Sequence, residues 1–256
     1  MSVDPRAARA FASGVEAYER GRPSYPDDLI AVVARELGLT ATSTVLDLGA
    51  GTGKLTRLLA PRVGRVIAVD PSSAMLDELH QQLPEVEAVV GTAEAIPVSD
   101  ESVDAVFVGE AFHWFRTTQA CAEIARVLTA GGGLALVWNR ARWSEQQHPW
   151  TDVFDALVKP HRRAAGEFPA GDGQWKPVLE DAGLFGPLSH AEADYHHRIS
   201  ADDFVGLVAS WSWIANLPDQ QRAGLLTRVR DLVGAHSPLM LRYRSEIYWT
   251  RLAAEP

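Results

Sequence analysis

The chain has 256 residues, 46% of them hydrophobic and 22% charged, which suits one large core or two modest ones and excludes disorder over most of its length. Its formal charge of -9 repels phosphate backbones and anionic lipid, so nucleic acid and membrane surfaces are poor partners. No run of about 18 apolar residues occurs, the opening MSVDPRAARAFASG lacks the charged-then-apolar order of a secretory leader, and the chain is expected to stay in the cytoplasm.

In chain order, residues 27 to 37 carry apolar side chains at helical spacing, and TVLDLG follows as a short apolar strand ending in glycine. Lys54 to Leu59 is helical again, and RVIAVD reads as a buried strand closed by an acid, completing a β-α-β unit. Pro71 to Leu83 predicts a helix, VEAVV and VDAVFVG strands, Thr118 to Leu128 a helix and GLALVW a strand. Such alternation predicts a mostly parallel sheet with helices on both faces.

After Asn139 the pattern changes. Residues 149 to 165 and 174 to 182 read as helices, HAEADYHHRI alternates as a strand, 201 to 215 and 218 to 233 are amphipathic helices, and LRYRSEIYWTRL alternates again. The two late strands are expected to pair antiparallel at the sheet edge, with the helices forming a cap. No repeat, low-complexity stretch or Gly-, Ser- or Pro-rich linker divides the chain, so 1–256 is read as a single domain. Cys121, the one cysteine, sits among alanines in a helical pattern and reads as core, not as a nucleophile.

The sharpest feature is VLDLGAGTGKL, a strand running into Gly49, Gly51 and Gly53 before a helix. Glycines there allow a tight turn and a close ligand approach. A triphosphate-binding loop needs four residues before its Gly-Lys pair and then Ser or Thr; here three intervene and Leu55 follows Lys54. A dinucleotide site wants a small residue at Lys54 and no acid beside its pyrophosphate, where Asp47 stands. S-adenosylmethionine carries no phosphate; it presents an ammonium, a carboxylate and a positive sulfonium, so Asp47 becomes useful, and Asp70 is spaced to accept both ribose hydroxyls. Taken singly, Asp47 and Asp70 equally suit turn and helix caps; together with three glycines they suit one ligand.

These motifs resemble the class I S-adenosylmethionine-dependent methyltransferases, in particular the branch of ubiquinone-biosynthesis and trans-aconitate methyltransferases. VLDLGAGTGKLT is similar to the first motif, VIAVDPSSAML to the second, GTAEAIPVSDESVDAVFVGEAFHWF to the third and fourth, and IARVLTAGGGLALVW to the fifth. The resemblance implies a Rossmann-like seven-stranded, mostly parallel sheet with helices on both faces, one antiparallel edge strand and a C-terminal helical cap. It implies an N-terminal lid segment (1–35), a donor-binding core (36–140) and an acceptor-side cap with the last two strands (141–256). By the same resemblance Ala93 and Glu94 border the adenine and Met75 packs on its face; the alternatives are a solvated turn residue for Glu94 and a core filler for Met75. In YERGRPSYP, Tyr18 and Arg22 either meet the donor carboxylate or, for Arg22, serve as surface charge.

Methyl transfer needs alignment and exclusion of water, and a base only where the nucleophile must lose a proton. GEAFHWF follows the fourth strand, where the family keeps residues beside the methyl group. His113 is the first candidate base and Glu110 the second; a histidine that only packs beside Trp114 is the alternative for His113. The acceptor pocket is expected to draw on Trp114, Phe115, Trp138, Trp143, Trp211 and Trp213, whose indoles suit an apolar small-molecule acceptor, although tryptophans also fill cores. No Asn-Pro-Pro-Tyr motif, which marks amino methylation of bases and glutamine, is present, which counts against such acceptors; oxygen is the expected target atom, with carbon and nitrogen as alternatives. His196 and His197 fall on opposite faces of a strand, and no metal is predicted. A nicotinamide-dependent oxidoreductase and a noncatalytic S-adenosylmethionine-binding regulator are the competing readings.

Overall fold

The computed structural model describes residues 15–115, 118–146, 148–164 and 175–253; the start of the expected lid, 1–14, and residues 165 and 174 of the expected helices lie outside these. The strands are β1 (Thr44–Leu48), β2 (Arg65–Asp70), β3 (Glu87–Val90), β4 (Val103–Gly109), β5 (Leu128–Ala141), β6 (Ser189–Ile199) and β7 (Leu239–Arg251). They form one sheet in the order β3-β2-β1-β4-β5-β7-β6. The first five run parallel, and β7 runs antiparallel to both β5 and β6, slotted between them.

The helices are α1 (Val15–Gly21), α2 (Asp27–Glu36), α3 (Thr56–Leu59), α4 (Ser73–Gln82), α5 (Phe112–Phe115), α6 (Thr118–Val127), α7 (Thr151–Ala164), α8 (Lys176–Ala182), α9 (Ala201–Ala209), α10 (Ser212–Ala215) and α11 (Asp219–Gly234). Side chains alternate across each strand, so the sheet has two apolar faces. Val45, Val66, Ala68, Ala105 and Phe107 pack with Ile30 and Val33 of α2 and Leu76 and Leu79 of α4. Leu46, Leu48, Val69, Val106 and Val108 pack on the other face with Ile124 of α6 and Leu179 of α8. Cys121 belongs to that second layer, fully buried, and burial pushes its thiol up to about 11, which suits core packing.

A third apolar cluster joins α7, α9 and α11 to the start of β7 through Phe154, Phe204, Val229 and Leu241. Two departures from the expected elements matter here. The helix expected over 201 to 215 breaks at Ser210, whose hydroxyl donates to the Leu207 carbonyl at 2.7 Å; Trp211 is then extended (φ -68°, ψ 127°) before α10 begins. β5 runs past the expected GLALVW because β7 pairs with it as far as Ala141↔Tyr243, so Asn139 and Ala141 become ladder residues at the sheet's upper rim. No helix among the described residues is long and apolar enough to cross a membrane.

Candidate active site

A cavity of about 230 Å³ opens at the carboxyl ends of β1, β4 and β5. It lies beside the point where strand order reverses between β1 and β4, where a doubly wound sheet leaves a crevice. Gly49, Gly51 and Lys54 form one wall, Tyr18, Arg22 and Tyr25 cover it, Glu110 and Asn139 close the strand ends, and Trp143, Leu207, Trp211 and Tyr243 supply the cap side.

Alternation along β1 sends Asp47 to the same face as Val45, beneath the α2 layer, and its side chain is fully buried. Oδ2 accepts a hydrogen bond from the Thr56 hydroxyl at 2.6 Å. Oδ1 is the buried side-chain oxygen that, among the described residues, has no partner. Burial raises the carboxyl to about 7, partly offset by Thr56. An orphaned buried oxygen costs about 1–3 kcal/mol. A positively charged group entering the cavity removes that cost, so the residues present fit a ligand with an ammonium.

The backbone of the glycine loop leads away from Asp47. Gly49 has φ 75° and its amide donates to Val69 O at 2.7 Å; a Cβ built there would stand 2.7 Å from Cβ of Ala111. Only glycine meets both demands. Asp70, at the end of β2, accepts from the Gly51 amide at 2.9 Å on one oxygen and from the Ser72 amide at 2.8 Å on the other. Burial raises its carboxyl and those two amides lower it. Each oxygen keeps a second lone pair for a hydroxyl.

Met75 is buried, with Sδ 3.8 Å from where a Cβ on Gly51 would lie, so it packs against the loop. Ala93 is buried and Glu94 half-buried with its carbonyl accepting from Gln119 at 2.8 Å; with Asp70, Gly53 and Met75 they lie behind the cavity wall and do not line it. Arg22 lines it: its guanidinium stacks on Tyr18 at 5.1 Å and donates to the hydroxyl and carbonyl of Ser210 at 3.0 and 3.2 Å.

The two candidate bases part company. Glu110 lines the cavity with a positive φ of 55°, an uncommon conformation for a residue with a side chain. The Asn139 amide donates to its Oε1, and the Asn139 side chain is held by the Ser24 carbonyl at 3.0 Å and by the Ser245 hydroxyl. Burial pushes the Glu110 carboxyl up; the Asn139 amide, Arg22 and Arg140 pull it down. His113 does not line the cavity: it is buried on α5, where Nδ1 accepts from the Trp138 indole at 3.3 Å.

Of the tryptophans expected in the acceptor pocket, Trp143 and Trp211 line the cavity. Trp138 does not: it is fully buried, stacked 4.9 Å from Trp175, because the parity of β5 turns it toward α8 while Asn139 turns toward the cavity. Trp114 stands 5.5 Å from the His113 ring, Phe115 packs on Phe112, and Trp213 on Trp211, all outside the lining set. Tyr25, Lys54, Asn139, Leu207 and Tyr243 line it without having been singled out. Tyr25 lies within the YERGRPSYP segment, so proximity to Arg22 was a usable signal; Asn139 and Tyr243 become neighbours of the cavity only through the β5–β7 pairing. Among the described residues no three His, Cys, Asp or Glu side chains cluster as metal ligands do.

Residues 46–136 match the family described as the methyltransferase domain. An uncharacterized methyltransferase of Mycobacterium tuberculosis is 41% identical over 233 residues, 90% of this chain and 88% of that protein. The trans-aconitate 2-methyltransferase of Paracidovorax citrulli is 28% identical over 234 residues, 86% of each chain. A solved candidate type II methyltransferase from Anaeromyxobacter dehalogenans superposes with a TM-score of 0.63 at 26% identity, over 91% of this chain and 99% of that one. With motifs, sheet order, orphaned acid and relatives in agreement, the chain belongs to the S-adenosylmethionine-dependent methyltransferases.

Proposed function

We propose that the cavity holds the methionine end of S-adenosylmethionine, its ammonium on Asp47 and its carboxylate on Arg22, that the ribose and adenine extend past the cavity wall with the ribose hydroxyls on Asp70, and that the methyl group passes to a small molecule at an oxygen atom. The observation that carries the donor placement is the buried, partnerless Oδ1 of Asp47, a residue that lines the cavity together with Gly49 and Gly51. When bound, the donor supplies a methyl carbon made electrophilic by sulfonium, with a neutral thioether as leaving group.

The chain's own residues supply the rest. Arg22 gives a planar fork suited to a carboxylate while Ser210 fixes its direction. Buried Met75, which packs behind Gly51, buried Ala93 and half-buried Glu94 are the residues assigned to the adenine. Tyr18 and Tyr25 narrow the cavity on one side, so that a polar contact beside them counts for more than it would in solvent. His113, held by Trp138, acts as a positioning group behind the wall, not at the reacting atoms. Oxygen is favoured over the amino groups of bases and glutamine because the chain lacks an Asn-Pro-Pro-Tyr motif, and Glu110 on the cavity lining can take the proton that a hydroxyl loses.

The test is calorimetric titration of the protein with S-adenosylhomocysteine, with NAD and NADP as controls. Selective micromolar binding that falls by about tenfold or more in Asp70→Ala is expected, since one or two charge-assisted hydrogen bonds are worth about 1.5–3 kcal/mol. Absence of binding in protein that melts cooperatively, or equal binding of NAD, would overturn the donor site.

A further inference from the structure

We infer that Glu110 selects the acceptor and takes a proton from it: the acceptor is a ring-borne hydroxyl, un-ionised on arrival, and not a carboxylate. The inference rests on the donor placement proposed above. The lining acids are Asp47 and Glu110, and the lining cations are Arg22 and Lys54. Once Asp47 and Arg22 serve the donor and Lys54 is paired with Glu19 at 3.2 Å, Glu110 is the charged lining group left to face an acceptor. An anionic acceptor would meet no uncommitted cation there and one carboxylate.

Geometry fixes Glu110 for this task. The Asn139 amide holds one oxygen, and Asn139 is itself tied to Ser24 and Ser245, so the side chain is anchored from three segments of the chain. The positive φ of Glu110 is the kind of strain that persists where the surroundings over-determine it. Trp143, Trp211 and Tyr243 line the same cavity, with Trp143 6.0 Å from Trp211 at a tilt of 47° and 5.8 Å from Tyr243 at a tilt of 54°. Aromatic edges and faces meeting at such angles suit a guest that itself carries a ring, which can meet one of them stacked or edge-on.

The charged and titratable groups around Glu110 are Arg22, Arg140, Tyr18, Tyr25 and Tyr243. Burial holds the three tyrosine hydroxyls protonated, and burial of Glu110 outweighs the pull of the two arginines, which makes it a stronger base than a surface carboxylate. In the transfer step, the hydroxyl oxygen bonds to the methyl carbon, the carbon–sulfur bond breaks with its electron pair going to sulfur, and the hydroxyl proton passes to Glu110 and then to water.

The experiment uses the full chain saturated with S-adenosylhomocysteine, which cannot react, and titrates it calorimetrically with phenol, 4-nitrophenol, benzoate and trans-aconitate. The phenols, in their protonated form, are expected to bind at least about tenfold tighter than the two carboxylates, the size of one repulsive buried charge contact. In Glu110→Gln, which keeps an acceptor for the Asn139 amide, that preference is expected to collapse to about threefold or less while S-adenosylhomocysteine affinity stays unchanged. Turnover of any phenol that is methylated is expected to fall about a hundredfold in the same variant. Carboxylates binding as tightly as phenols in the wild-type protein, a preference that survives in Glu110→Gln, undiminished turnover, or no ring binding at all would each overturn the inference. Failure to bind S-adenosylhomocysteine would instead strike the donor reading on which it rests.

Discussion

The two halves of the cavity are built on different principles. The side proposed for the donor is backbone: glycine amides and strand ends, with Asp47 one residue before the end of β1 lining the cavity and Asp70, at the end of the parallel neighbour β2, behind its wall. The cap side is side chains, chiefly Trp143, Trp211 and Tyr243, brought together from three elements far apart in the chain. Backbone tolerates little change, whereas an aromatic wall can be repacked, so damage on the donor side is expected to be larger and less selective.

The strongest test of that contrast is Gly49→Val. A β-branched residue is strained at φ 75° and its Cβ would press against Ala111 at 2.7 Å. The strain alone costs about 1–2 kcal/mol, and the clash displaces the amides that shape the loop. Calorimetry is expected to show S-adenosylhomocysteine affinity reduced by about a hundredfold or more, with a lowered melting temperature; near-normal binding would mean that the loop does not approach the ligand.

Asp47→Asn separates stability from function. The folded carboxyl sits at about 7 against an ordinary value of 3.8, so ionising it penalises the unliganded fold, and that penalty grows as pH rises from about 4 to 7 and is then constant. The asparagine variant escapes it and is expected to be more stable than wild type at pH 8 by about 1–3 kcal/mol, with the difference vanishing near pH 4. Donor affinity runs the other way: wild-type binding is expected to strengthen as pH rises through about 7, while the variant binds at least about tenfold more weakly at pH 8 and has lost that pH dependence. Denaturant melts and titrations over this pH range read both effects; a less stable, tightly binding variant would return Asp47 to a purely structural role.

On the cap side, Trp211→Ala removes an exposed-edge aromatic from the cavity wall, and its extended backbone owes more to the Ser210 break than to the indole. Expected is an acceptor KM raised about tenfold with S-adenosylhomocysteine affinity unchanged, since a partly desolvated ring contact is worth about 1–2 kcal/mol. Equal losses for both ligands would erase the distinction between the halves.

The same contrast explains what could be read in advance. The glycine turn and its two acids were legible because their requirements are local: a glycine at Gly49 and an acid at Asp47 or Asp70 announce themselves within one strand and its turn. The sheet's parallel part was legible for the same reason, as apolar runs ending in polar turns. Trp138 was misread because its neighbour Asn139, one residue on and therefore on the opposite face, is the one that reaches the cavity; parity at a strand end depends on where the ladder stops, and β7 decides that from a hundred residues away. His113 drew attention by its residue type, yet Trp138 takes its nitrogen, whereas Glu110, ranked below it, has the backbone geometry and the position. Tyr243 had no signal beyond strand alternation.

The smallest expected effect belongs to the seam between the halves. Helix α1 lies across both: Glu19 accepts from the Thr52 hydroxyl at 2.5 Å and pairs with Lys54 and Arg57, each at 3.2 Å, on the donor side. Toward the cap, Arg20 meets Asp203 at 2.9 Å, His197 meets the Gly21 carbonyl at 3.2 Å, and Gly21 packs so closely on α9 that a Cβ would fall 2.7 Å from the Leu207 amide. The cap-side contact is backbone on backbone, so the helix is fixed there and only latched at Glu19. Glu19→Gln keeps the Thr52 hydrogen bond and removes the charge from a pair whose side chains are each 15% exposed, an interaction worth about 0.5–1.5 kcal/mol. Donor affinity is therefore expected to fall about threefold to tenfold through faster dissociation, measured by stopped-flow displacement of S-adenosylhomocysteine, with added salt narrowing the gap between variant and wild type. Acceptor KM at saturating donor is expected to hold, because the cap contacts of α1 are untouched; a variant that weakened both ligands alike would mean that α1 moves as one rigid wall and that the two halves are not built independently.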